Sequence, residues 1–194
     1  MLAPRRPSAE AVRGFLDRQA AHHFSYGAVG ATRGDEFPAG HDVDRTRVRL
    51  GEGEADFSAA SASLAHWDQF RLGWVEPWTF DRPIAAGETV AIVARLAGMW
   101  FLNACRIVYT VDEADPTSRR FGFAYGTLPD HAESGEERFL IEWDQVQGSV
   151  WYDILAFSRP RHVVARLGYP VARRFQKRFA RDSVAAMAKA VAAT

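Results

Sequence analysis

Cysteine is almost missing from this chain of 194 residues: Cys105 stands alone. That excludes an internal disulfide framework and any multi-cysteine metal site. Long apolar runs are missing too. Nothing approaches the ~20 successive apolar residues of a membrane span, and the opening MLAPRRPSAEAV lacks the apolar centre of a signal peptide. There is no excess of either charge, with 24 basic residues against 24 acidic ones, so no overall field draws the chain to nucleic acid. Repeats, low-complexity tracts and linkers are also lacking. These absences predict one domain over residues 1–194, working in the cytoplasm, with no integral membrane segment and no nucleic acid partner.

Aromatic residues, by contrast, are plentiful: 6 Trp, 13 Phe and 5 Tyr in a chain that is 47% hydrophobic. Such side chains fill a core, and they also line cavities for apolar ligands. Their arrangement predicts the elements. Ser8 caps a helix running to Phe24, with Ala11, Phe15 and Leu16 as its stripe. A glycine-rich passage follows, but its G-x-x-G-x-x-x-G spacing matches neither a dinucleotide nor a phosphate loop. Thr46 to Leu50 reads as a short strand, and Asp56 caps a helix carrying Phe57, Ala60, Leu64, Trp67 and Phe70.

Five segments rich in β-branched and aromatic residues come next: TVAIVARLAG, WFLNACRIVYTVDE, RRFGFAYGTL, RFLIEWD and SVWYDILAF. Turn-forming stretches separate them, which predicts an antiparallel meander. A last helix, broken or started near Gly168, carries Phe175, Phe179, Met187 and Val191 on one side. Its other side is basic, with Arg173, Arg174, Lys177, Arg178 and Arg181. That side reads as a solvated face, with an anionic membrane surface as the alternative. The whole is an α+β fold, a single antiparallel sheet wrapped around a long C-terminal helix in the helix-grip, START-like manner.

Within the strands, Phe121, Phe123 and Tyr125 share one face, and Gly122, Ala124 and Gly126 the other. Three small residues leave room for a close neighbour, either the last helix or a bound molecule. Asn103 shares a face with Phe101, Cys105, Ile107 and Tyr109, while Arg106 and Asp153 fall among apolar positions. A buried charge needs a partner, so an Arg106–Asp153 pair is expected, as a structural bridge or as the polar anchor of a pocket. Cys105, in mid-strand, is expected to be buried and inert.

The stretches VDRTRVRLGEGEADF, LNACRIVYTVDE, RRFGFAYGTLPDHAESGEERFLIEWD, GSVWYDILAFSRPR and ARLGYPVARRFQKRFARDS resemble the bacterial and plant family of domains of unknown function numbered 1990. The likeness covers nearly the whole chain and is most specific around GFAYGTLPDHAESGEE and AFSRP. It implies the START-like layout and no particular activity. The motif positions it marks are Tyr125 to Leu128, His131, Glu133, Gly135 to Glu137, Phe139 and Phe157 to Pro160. The family pattern has glycine where this chain carries Asp130, and either suits a tight turn.

The turn HAESGEE joins an imidazole to three carboxylates. His131 suits a general base, with Glu133 or Glu136 as its orienter. A structural turn that leaves the acids in water fits the same residues. His131 and Glu133 match no zinc spacing, so no metal is expected, and no cofactor motif appears. Arg159 would bind an anion or pin the glutamates of this turn, and nothing around Ser158 resembles a nucleophile elbow. Two site readings follow. In one, Tyr125, Thr127, Arg159, Arg106, Asp153 and Asn103 line a cavity for an apolar or amphiphilic small molecule. In the other, His131, Glu133 and Glu136 catalyse a cyclisation, hydrolysis or dehydration on the same scaffold. A purely structural or interaction module is the third possibility, and oligomeric state is not legible.

Overall fold

The computed structural model describes residues 1–161 and 169–193. In chain order the elements are β1 (Leu2–Ala3), α1 (Ala9–Ala20), β2 (Asp42–Glu52), α2 (Gly53–Ala65), β3 (Val75–Trp78), β4 (Thr89–Leu96), β5 (Met99–Ala114), β6 (Ser118–Thr127), β7 (Glu133–Asp144), β8 (Ser149–Pro160) and α3 (Tyr169–Ala192). The break expected near Gly168 lies outside the described residues.

Helix α1 starts where Ser8 Oγ accepts the Ala11 backbone N–H at 3.2 Å, and it buries Val12, Phe15 and Leu16. It stops at Ala20 rather than Phe24, where the Arg106 guanidinium donates to the carbonyls of Ala20 at 2.7 Å and His22 at 3.0 Å. A cation on the last carbonyls is a natural helix stop. Strand β2 is more than twice the length expected, because it pairs with β8 from Asp42↔Ser158 to Glu52↔Ser149. Asp56 lies inside α2 rather than before it, and its carboxylate accepts the Glu52 N–H at 2.8 Å. That helix ends at Ala65, where Trp67 adopts a left-handed backbone (φ 61°) and opens a tight turn over Asp68–Phe70.

The strands form one antiparallel sheet in the order β2-β8-β7-β6-β5-β4-β3, with β1 paired to β5. Its inner face packs against α2 and α3. There Phe70 lies 4.8 Å from Phe179, 5.4 Å from Phe139 and 6.0 Å from Tyr125, and Phe123, Leu64 and Met187 are fully buried beside them. Each such side chain contributes about 1.5–3 kcal/mol of burial. The outer face carries a second apolar cluster, in which Val12, Phe15 and Leu16 of α1 meet Ala91, Val93, Leu102, Ala104 and Leu128.

Alternation along β6 follows the expected faces, with Phe123 and Tyr125 in the inner cluster. The small residues do not face the last helix. They lie on the outer face, where a Cβ on Gly126 would stand 2.0 Å from the Tyr26 hydroxyl. The shared face of Asn103 and Tyr109 is corrected as well. The β5–β6 register shifts between Ile107 and Tyr109, and this bulge turns Tyr109 to the outer side, where its hydroxyl meets Thr32 Oγ1 at 2.7 Å. No helix among the described residues is long and apolar enough to cross a membrane.

Candidate functional site

The HAESGEE stretch is not a long loop. Strand β7 begins at Glu133 and carries Glu133, Gly135, Glu137 and Phe139 on its inner side, and Ser134, Glu136 and Arg138 on its outer side. Consecutive glutamates therefore enter different environments. Both sides of β7 are paired, to β6 and to β8, and this pairing overrides the poor strand propensity of E-S-G-E-E.

On the outer side Glu136 is buried, and its carboxylate accepts hydrogen bonds from Tyr26 OH at 2.7 Å, the Gly30 N–H at 2.7 Å, the Thr32 N–H at 3.1 Å and the Thr32 hydroxyl. It clamps the glycine-rich passage to the sheet and orients no histidine. Burial and this bond push the Tyr26 phenol upward. Gly126 gives Tyr26 its place, so Gly126→Ala is expected to cost about 2 kcal/mol by overpacking. A denaturant melt would check it, and an unchanged midpoint would contradict this packing.

Asp153, fully buried on the same outer side, is held by Arg45 at 2.9 Å, Arg138 at 3.0 Å and Arg47 at 3.4 Å. The expected Arg106–Asp153 pair does not form. Strands β6 and β7 lie between their strands, a gap of roughly 14 Å at the usual strand spacing. Arg106 caps α1 instead. Neither residue anchors an inner pocket.

His131 is also corrected. Its Nδ1 accepts the Glu133 backbone N–H at 3.0 Å, so the ring folds onto its own turn and meets neither glutamate carboxylate. Burial lowers its pKa to about 4, leaving it neutral at pH 7 and a weak base. Arg159 is exposed and makes no ion pair with a glutamate of this turn among the described residues. Thr127 stitches the sheet end, its Oγ1 accepting the Gly135 N–H at 3.0 Å and meeting Ser25 Oγ at 2.6 Å. Asn103, on the inner side, accepts the Ala132 N–H at 3.4 Å. Burial raises the Cys105 thiol pKa, as expected of an inert residue.

The inner face of β7 turns polar beyond Phe139. Tyr125 OH donates to Glu137 Oε2 at 2.6 Å, across the register pair Tyr125↔Glu137. Burial raises the Glu137 pKa to about 7, against the opposing effect of the tyrosine bond, and burial followed by the Glu137 charge raises that of Tyr125. Near the strand's start, Glu133 accepts from Gln176 of α3 at 2.6 Å, and burial raises its pKa as well. The same amide reaches Ser158 Oγ at 3.4 Å. Arg173 of α3 donates to Gln176 at 2.7 Å and to Asp44 at 2.6 Å.

Here an acid–phenol pair and a carboxyl–amide–hydroxyl cluster share one sheet face under one helix. The arrangement can take up or release a proton near pH 7 at Glu137, or bind a polar group there. Glu137, Gln176, Asp44 and Arg173 were absent from the site expected from sequence. The signal for Glu137 was its parity with Phe139 and Ile141, visible once the strand is started at Glu133. A separate cleft of about 200 Å³ at the β3 edge is lined by Arg71, Trp74, Glu76 and Trp100 among others, and includes no residue of this group.

Comparison with known proteins gives the lineage. A UPF0548 protein of Dictyostelium discoideum is 38% identical over 207 residues, covering 98% of this chain and 96% of that protein. A UPF0548 protein of Deinococcus radiodurans is 36% identical over 191 residues, covering 93% and 94%. Among solved structures, Ara h 8.0201 aligns with TM-score 0.50 and 11% identity, over 80% of this chain and 100% of that one. That likeness concerns the fold alone, which is α+β and START-like. The family model described as "Domain of unknown function (DUF1990)" matches residues 25–186, and the chain belongs to that family.

Proposed function

We propose that this protein, as one domain over residues 1–194, holds an apolar or amphiphilic small molecule between the inner sheet face and α3. The ligand's polar end meets Glu137 and Tyr125. One observation carries the reading. Glu137 keeps accessible surface although protein surrounds it, and Tyr125 engages one of its oxygens, with no ion pair to it among the described residues. An interior carboxyl left with spare acceptor capacity and no cation suits a ligand that supplies a donor. The aromatic side chains around Phe139 supply the apolar wall, and the lone, buried Cys105 fits a cytoplasmic setting.

Native mass spectrometry after mild purification tests the reading, together with titration of a dansyl-labelled alkylamine. Glu137→Gln is expected to weaken that probe by about 10–100-fold, the loss of one charge-assisted hydrogen bond. A wild-type protein that carries nothing and binds no such probe would refute the proposal.

A second reading rests on the same pair. A carboxyl with a pKa of about 7 beside a phenol suits general acid–base catalysis at neutral pH, for a cyclisation, hydrolysis or dehydration. Glu137 then takes the part that the sequence suggested for His131.

A further inference from the structure

Helix α3 divides its polar residues between two sides. Arg173 and Gln176 turn inward to Asp44 and Glu133. Val171, Arg174, Lys177, Arg178 and Arg181 fall within about one third of the helix circumference, at 100° per residue, and all five are exposed. Val171 is an aliphatic side chain left 54% open to solvent at the head of this stripe.

The charge on α3 is lopsided: six cations, Arg173, Arg174, Lys177, Arg178, Arg181 and Lys189, against the single acid Asp182, in a chain of net charge zero. Asp182 compensates Arg178 and Arg181, at 3.3 Å and 2.8 Å, and Arg178 also lies over the Trp74 ring. Arg174 and Lys177 make no hydrogen bond or ion pair among the described residues. With Arg178 and Arg181 sharing the single Asp182, the stripe keeps a net positive charge.

We propose that this stripe of α3 docks on an anionic membrane surface. A straight cationic helix side with an exposed aliphatic residue at one end complements a plane of acidic headgroups. The chain's zero net charge and Asp182 at the edge of the stripe make a nucleic acid the poorer fit. This inference stands apart from the small-molecule reading, since none of the stripe residues touches Glu137 or Tyr125.

Co-sedimentation of the full chain with vesicles tests it. Binding is expected to phosphatidylcholine vesicles containing about one third phosphatidylserine at low salt, not to phosphatidylcholine alone, and to fade as salt is raised. The double variant R174Q/K177Q should bind about 25-fold more weakly, at roughly fivefold per cation. Its thermal melt should match the wild type, because both side chains are exposed. No wild-type binding to the acidic vesicles would overturn the proposal. So would equal binding by the double variant, or displacement of the vesicles by duplex DNA.

Discussion

Glu136→Leu is expected to destabilise the protein by about 3–5 kcal/mol, because several buried neutral donors lose their acceptor at about 1–3 kcal/mol each. The carboxylate receives four donors, from Tyr26, Gly30 and Thr32, and leucine would leave them buried without an acceptor. At about 2–4 °C per kcal/mol for a chain of this size, the melting temperature should fall by roughly 10 °C. Hydrogen exchange should quicken first in the passage around Gly30 and Thr32, which Glu136 ties to β7 through three bonds and Arg138 through one, to the Thr32 carbonyl at 2.9 Å. A loss below about 1 kcal/mol would mean that the clamp is not structural, and would return Glu136 to the list of candidate site residues.

The second large effect is a pair of opposing pH dependences. Glu137 has a folded pKa of about 7 against an ordinary 4.5, so the native state holds the extra proton between those values. Stability from this group is full at low pH and declines as pH rises through that window, by about 3 kcal/mol in all. Glu133, raised by its own burial, acts in the same direction. His131 has a folded pKa of about 4 against 6.5. Here the unfolded state binds the extra proton, so stability is lost as pH falls from 6.5 toward 4, again by about 3 kcal/mol.

In the wild type the two trends offset each other over much of pH 4.5–6.5. Glu137→Gln should unmask the histidine, giving a protein steadily weakened by acid yet more stable than the wild type at pH 8. His131→Asn keeps an acceptor for the Glu133 N–H and should show the reverse slope. Urea melts across pH 4–8 would decide. Parallel profiles for wild type and both variants would refute the buried state of these groups.

Much of the fold was legible because it follows from local periodicity. Ser8 with Phe15 and Leu16 placed α1, although the third buried apolar residue of its stripe is Val12 and not the exposed Ala11. The β-branched and aromatic runs placed β4, β5, β6 and β8, and Phe179 and Met187 marked the inner side of α3. Segments with weak local preference were missed. The short β3 contains Pro77, and the first five residues of β7 read E-S-G-E-E. Both are strands because neighbours pair with them. The site suffered most from this. Starting β7 late made Glu133, Glu136 and Glu137 look like one solvated group around His131, when alternation sends Glu136 outward and Glu137 inward.

The chain's own chemistry determined which segments are helices or strands and which side of each is apolar, since those properties depend on residues a few positions apart. Tertiary structure alone decided what each polar residue meets. The bulge at Ile107/Tyr109 turned Tyr109 to the outer side. Two intervening strands separated Arg106 from Asp153, and the β6–β7 register set Tyr125 against Glu137. Partners across a sheet are chosen by register, and register is set by the sum of pairings and by burial of a whole face. No short window of sequence contains that sum.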